Sequence, residues 1–128
     1  MNANDVLSVP VSSFMRAPVY DVRPNSTLRA AAKILRDQDV GALAVMRGAS
    51  IVGLVSERDV VRALADGADP DEVWVGDVMS DLPRYLVPEE SSRMAAQVML
   101  TAGVRHLPVV EDGALVGIVS IRDLLRHL

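Results

Sequence analysis

Two short stretches hold the side chains best suited to chemistry, Ser56-Glu57-Arg58-Asp59 and Ser120-Ile121-Arg122-Asp123. Each sets a hydroxyl, a guanidinium and a carboxylate within four residues, directly after an apolar run. One reading is structural: serine followed three residues later by an acid is close to a capping box, and an acid in the first turn suits the positive end of a helix dipole. The arginine argues for more. A cation in that first turn is unfavourably placed, here twice, and an anion docked at the helix start reverses the sign of the problem. In the second reading Asp59 and Asp123 accept hydrogen bonds from the two hydroxyls of a sugar, while Ser56, Ser120, Arg58 and Arg122 face phosphate oxygens. The residues alone leave both readings open.

These stretches recur because the chain is duplicated. Shifted by 64 positions, residues 15–62 fall on 79–126 without a gap, and 15 of the 48 aligned pairs are identical, among them Pro24/Pro88, Arg29/Arg93, Gly53/Gly117 and Asp59/Asp123. A repeat of this length builds a two-fold-related domain with a pair of equivalent sites. The expected divisions are 1–10 as an N-terminal extension, 11–65 as repeat one, 66–74 as a polar linker and 75–128 as repeat two.

Composition excludes several classes. At 128 residues the chain suffices for one domain with a real core, burying roughly two-thirds of its unfolded surface. With four aromatic residues (Phe14, Tyr20, Trp74, Tyr85), that core must be aliphatic. A net charge of −4 without runs argues against a nucleic-acid binder. There is no cysteine, which removes disulfides, thiolate metal sites and a cysteine nucleophile, and the two histidines, His106 and His127, give no zinc ligand set. The lack of cysteine makes the reducing cytoplasm the expected compartment, and the N-terminus shows neither a signal peptide nor a membrane span.

Each copy reads as strand, helix, strand, strand, helix, an α/β pattern. In the first copy a strand over Val19–Val22 precedes a helix with Leu28, Ala31, Ala32, Ile34 and Leu35 on its apolar face. Strands come next over Ala42–Met46 and Ile51–Val55, then a helix from Ser56 to Gly67. The second copy gives a strand over Tyr85–Val87, a helix over Ser91–Ala102, strands over Leu107–Val110 and Leu115–Val119, and a helix over Ile121–His127. Pro70 starts a helical turn in the linker. Gly53 and Gly117, mid-strand, mark close approach of a backbone or ligand, or plain packing. Met15, Met79, Met94 and Met99 read as core filler at helical spacing.

The stretches D-V-M at 77–79, G-V-R-H-L-P-V-V at 103–110 and V-G-I-V-S-I-R-D-L at 116–124, with their duplication, resemble the cystathionine β-synthase (CBS) domain. The chain from Val11 onward is similar to a stand-alone pair of such domains, a Bateman module. The resemblance implies two βαββα repeats packed as one compact module, a disc-like homodimer, and adenosine-containing ligands (AMP, ADP or ATP) in clefts between repeats. It assigns ribose to Asp59 and Asp123. It also has the basic Arg105 and His106, just before the L-P-V strand, reach the phosphates of a nucleotide held mainly by the other repeat; the matching residues of the first copy are Gly41 and Ala42. The adenine ring is placed near Val19, Tyr20 and Tyr85. Dimerisation is expected around Val60, Val61, Leu64, Leu124 and Leu125. In function, the resemblance implies a regulatory sensor without cofactor or metal that signals to a regulated protein, and not an enzyme. The alternatives are a ligand-free structural or stress-related interaction module, and a sensor of S-adenosylmethionine or NADH. An inosine-monophosphate dehydrogenase carries a similar pair only as an insert, and this chain has neither its barrel nor its cysteine.

Overall fold

The computed structural model describes residues 8–82 and 84–126, which form two compact units. One is Tyr20–Leu82; the other combines residues 8–19 with 84–126. His127 and the first seven residues lie outside the described residues.

The Tyr20–Leu82 unit runs β1 (Asp21–Val22), α1 (Leu28–Gln38), β2 (Ala42–Arg47), β3 (Ser50–Ser56), α2 (Glu57–Ala65) and α3 (Val75–Val78). β2 is central, parallel to β1 and antiparallel to β3. Its residues Ala42 to Met46 are all buried, as a continuous apolar run requires. α1 begins where Thr27 accepts from the Ala30 amide, and ends at Asp39, which takes the left-handed conformation (φ 52°). Leu28, Ala31 and Leu35 of α1 meet Leu43, Val45, Val55, Val60 and Val75 in an aliphatic core.

The other unit contains a 3-10 turn (Val11–Ser13), α4 (Ser92–Ala102), β4 (His106–Glu111), β5 (Ala114–Ser120) and α5 (Ile121–Leu125). Its core joins Val11, Leu86, Ala95, Met99, Leu107, Val109, Val119 and Leu124. The expected βαββα order holds in both copies, with one reduction. The strand expected over Tyr85–Val87 is a single parallel bridge, Leu86 to Val109. In the first copy the Ala44 amide donates to the Tyr20 carbonyl (3.1 Å). Its counterpart is Pro108, which has no N–H to give, so the ladder stops after the two bonds that Leu86 makes.

The units do not match the sequence repeats. Residues 8–19, which include the start of repeat one, belong to the unit of repeat two, held by Val11 N–H to Glu90 O (2.8 Å) and Ser92 N–H to Val9 O (2.9 Å). The same bonds recur 64 positions on, as Val75 N–H to Ser26 O (2.8 Å) and Leu28 N–H to Val73 O (3.0 Å). Each hairpin also receives an antiparallel bridge on its outer strand: Arg16 pairs with Ile118, and Ser80 with Leu54. This explains the two mid-strand glycines as packing. A Cβ on Gly53 would lie 2.7 Å from the Met79 sulfur and 2.9 Å from the Ser80 carbonyl; on Gly117 it would lie 2.6 Å from the Met15 sulfur. Met99 is buried as expected, whereas Met94 is 39% exposed because it lies on the outer face of α4.

The linker is a turn in which the amides of Glu72 and Val73 both donate to Asp69 O, tied to α1 by Arg29 N–H to Pro70 O. Trp74 bridges Thr27 through its backbone and leaves its ring largely exposed. No helix among the described residues is long and apolar enough to cross a membrane.

Candidate functional site

Both Ser-x-Arg-Asp elements sit where an outer strand turns into a helix, and in each the serine is the N-cap. At Ser56 the capping box is complete: the Asp59 amide donates to Ser56 Oγ (3.2 Å), and Asp59 Oδ2 accepts from the Ser56 amide (2.9 Å) and hydroxyl (3.0 Å). At Ser120 the Asp123 amide donates to Oγ (3.0 Å), and the hydroxyl donates to Asp123 Oδ2 (2.8 Å). The structural reading of these motifs is therefore present in the fold. It does not consume the whole side chain, since each acid keeps a second oxygen.

That second oxygen is treated differently in the two copies. Asp59, half-buried, faces the Ser80 hydroxyl, which lies 3.3 Å from Oδ1 and 3.4 Å from Oδ2. Asp123, only 7% exposed, accepts from Arg16 Nε at 3.3 Å on Oδ1. Ser80 and Arg16 occupy the same position of the duplication and are delivered by the same backbone bridge. Neither residue stood out in the sequence; the signal was the 64-residue shift applied to the first positions of the aligned stretches, where Arg16 falls on Ser80.

Arg58 and Arg122 stand exposed on the first turns of α2 and α5. Arg105 is also exposed, and its carbonyl accepts from the Ile121 amide (2.9 Å), the bond that Gly41 makes to Glu57 (3.0 Å) in the first copy. His106 pairs with Ser120 across the β4–β5 ladder. Within one unit the structure thus gathers Arg105, His106, Ser120, Arg122 and Asp123, while Ser56, Arg58 and Asp59 belong to the other. Of the residues expected near an adenine ring, Tyr20 is partly buried against the core of its unit, Val19 is half-buried in the other, and Tyr85 is 52% exposed. Tyr20 and Tyr85 are not equivalent positions; Tyr20 matches Arg84.

The apolar positions expected to dimerise divide. Val60 and Leu124 are buried in the cores of their own units, because they point inward from α2 and α5. Val61, Leu64 and Leu125 are 63%, 47% and 58% exposed, with Val61 and Leu125 again equivalent. A surface groove of about 360 Å³ lies elsewhere, on α4 and lined by Arg84, Met94, Gln97, Val98, Thr101 and Ala102. Among the described residues no three His, Cys, Asp or Glu side chains gather to hold a metal ion.

Comparison with known proteins fits this geometry. The family profile of the CBS domain matches residues 11–66 and 75–128. Hypoxic response protein 1 of Mycobacterium tuberculosis is 36% identical over 116 residues, spanning 89% of this chain and 81% of that protein. A crystal structure of Hypoxic Response Protein I with two coordinated zinc ions superposes with a TM-score of 0.77 at 34% identity, covering 94% of this chain and 99% of that one. The CBS-domain containing protein ATU1752 from Agrobacterium tumefaciens gives a TM-score of 0.83 at 28% identity over 92% and 98% of the chains. The CBS domain pair of protein MJ0100, solved with 5′-methylthioadenosine and S-adenosyl-L-methionine, shares the fold with a TM-score of 0.82 at 24% identity, over 92% and 94% of the chains.

Proposed function

The chain belongs to the CBS domain family, and we propose that this pair of repeats is a regulatory module that binds an adenosine-containing ligand, AMP, ADP or ATP first, and passes its occupancy to a partner protein. The observation that carries the reading is the duplicated Ser-x-Arg-Asp turn. Its carboxylate is pinned at one oxygen by the serine cap, and at Asp59 the other oxygen faces only the neutral Ser80 hydroxyl, which a sugar diol can replace at a charged acceptor. In this reading Asp59 and its duplicate Asp123 stand at the two positions suited to accept ribose. Ser56, Arg58, Ser120, Arg122, Arg105 and His106 take phosphates, and Val19, Tyr20 and Tyr85 attend the base. Signalling is a population shift, set by the ligand's different affinity for two conformations. No catalytic step is assigned. The module works in the cytoplasm as a homodimer through the exposed apolar residues of α2 and α5.

S-adenosylmethionine and NADH carry the same ribose diol and remain alternatives to the adenine nucleotides; the ligands of the MJ0100 pair support the wider adenosine class. A ligand-free interaction module is the competing reading, favoured by the cap contacts already made by both aspartates. A thermal-shift panel of AMP, ADP, ATP, S-adenosylmethionine and NADH separates these. A ligand at 100 times its dissociation constant adds about 2.7 kcal/mol, so at least one arm is expected to rise by several degrees and to lose the rise in Asp59→Ala. A flat panel at millimolar concentration would leave the interaction module standing.

A further inference from the structure

We propose that Arg16 is a built-in plug on Asp123, so that of the two duplicated carboxylates only Asp59 is open to a vicinal sugar diol and each chain takes one adenosine ligand. The plug rests on the adenosine reading above and adds to it the residue that decides which copy is used.

Residues 16 and 80 are held alike. Arg16 exchanges backbone bonds with Ile118 (2.8 and 3.1 Å), and Ser80 exchanges bonds of the same lengths with Leu54. Whatever side chain stands at this position is thereby presented to the capping aspartate. In one copy it is a serine. Its hydroxyl is neutral and has a single proton to share between two carboxylate oxygens at 3.3 and 3.4 Å, so an arriving diol exchanges one neutral donor for two. In the other copy it is a guanidinium, and the exchange differs. Asp123 already uses Oδ2 for Ser120 and Oδ1 for Arg16, and its side chain is 9% exposed. A diol there has to replace a cation by neutral donors beside a carboxylate that is out of water, which is unfavourable because a desolvated charge depends on its counter-charge. The Arg16 side chain is 51% exposed, so its charge is solvated at one end while its Nε holds the acid.

Titration calorimetry with AMP, and in parallel with S-adenosyl-L-methionine, tests the plug on the whole chain. Wild type is expected to bind one ligand per chain. Arg16→Ser, which copies the first repeat, is expected to raise this to two, and Asp123→Ala in the Arg16→Ser background to return it to one. Ser80→Arg, which copies the second repeat, is expected to weaken the wild-type site at least tenfold while circular dichroism reports the native fold. Should Arg16→Ser fail to fold, Ser80→Arg decides. Two equal sites in wild type, a count of one in folded Arg16→Ser, or full affinity in Ser80→Arg would each overturn the plug with the adenosine reading intact. Absence of binding in every variant would overturn both.

Discussion

Replacing either mid-strand glycine by alanine is expected to destabilise the fold, but only one of the two losses is relieved by trimming the neighbouring methionine. In Gly117→Ala the three atoms nearest the new methyl all belong to Met15, at 2.6 Å for the sulfur, 2.9 Å for Cγ and 3.0 Å for Cβ. In Gly53→Ala it meets the Met79 sulfur at 2.7 Å and also the Ser80 carbonyl at 2.9 Å, which the Leu54 amide fixes in place. Overpacking of this kind costs about 1–3 kcal/mol. For a chain of this length that is about 4–12 °C of melting temperature. Met15→Ala removes the sulfur and Cγ from above Gly117, leaving a contact that small movements absorb. Met79→Ala leaves the backbone oxygen above Gly53. A double-mutant cycle by thermal unfolding should therefore give a favourable coupling of about 1–2 kcal/mol for the 15/117 pair, within the range for residues in contact, and a clearly smaller one for 79/53. Equal coupling at the two sites, or Gly117→Ala as stable as wild type, would refute the proposed packing of these segments.

The helix caps give a second test: Thr27→Ala and Ser91→Ala each remove the acceptor for one first-turn amide (Ala30 and Met94, both 3.1 Å), and each should cost about 1 kcal/mol in chemical denaturation. For the proposed homodimer, Val61→Glu or Leu125→Glu should convert the species seen by light scattering from about twice 13.8 kDa to 13.8 kDa, because an unpaired charge in an apolar interface is costly; a wild-type monomer at micromolar concentration would remove the dimer. In acid, hydrogen bonds from Arg29, with the charges of Arg29 and Lys33 adding and burial opposing, hold the Asp71 carboxyl below its usual value. A depressed folded value means that this contribution is complete above the unfolded carboxylate range near pH 4 and is lost as pH falls through the folded value. Asp71→Asn should accordingly flatten the acid limb of stability without altering the slope between pH 6 and 8.

The duplication made most of this fold legible, because a 64-residue shift that aligns Gly53 with Gly117 and Asp59 with Asp123 also aligns their strands and helices. The strand at Tyr85 read longer than it is because periodicity records apolar residues and not the missing amide of Pro108, which matters only once the strand partner is known. The resemblance pointed to the helices for dimerisation, but apolar type cannot tell Val60 from its exposed neighbour Val61; the turn of α2 that seats Val60 in the core makes that choice. The capping role of Ser56 and Ser120 was visible in three-residue spacing. The partner of Asp123 was not, since Arg16 stands 107 positions away and reaches it only because residues 8–19 join the unit of the second repeat. The glycines likewise announced a close neighbour without naming Met15 or Met79.

The proposed function stands or falls on a carboxylate at Asp59 holding a ribose diol. The direct measurement is calorimetric titration of the wild-type chain with AMP and with 2′-deoxy-AMP. Loss of one hydroxyl from a charged acceptor removes about 1.5–3 kcal/mol, so the deoxy ligand is predicted to bind at least tenfold more weakly. Equal affinity for the two would contradict the assignment, and no affinity for either would contradict AMP as the ligand.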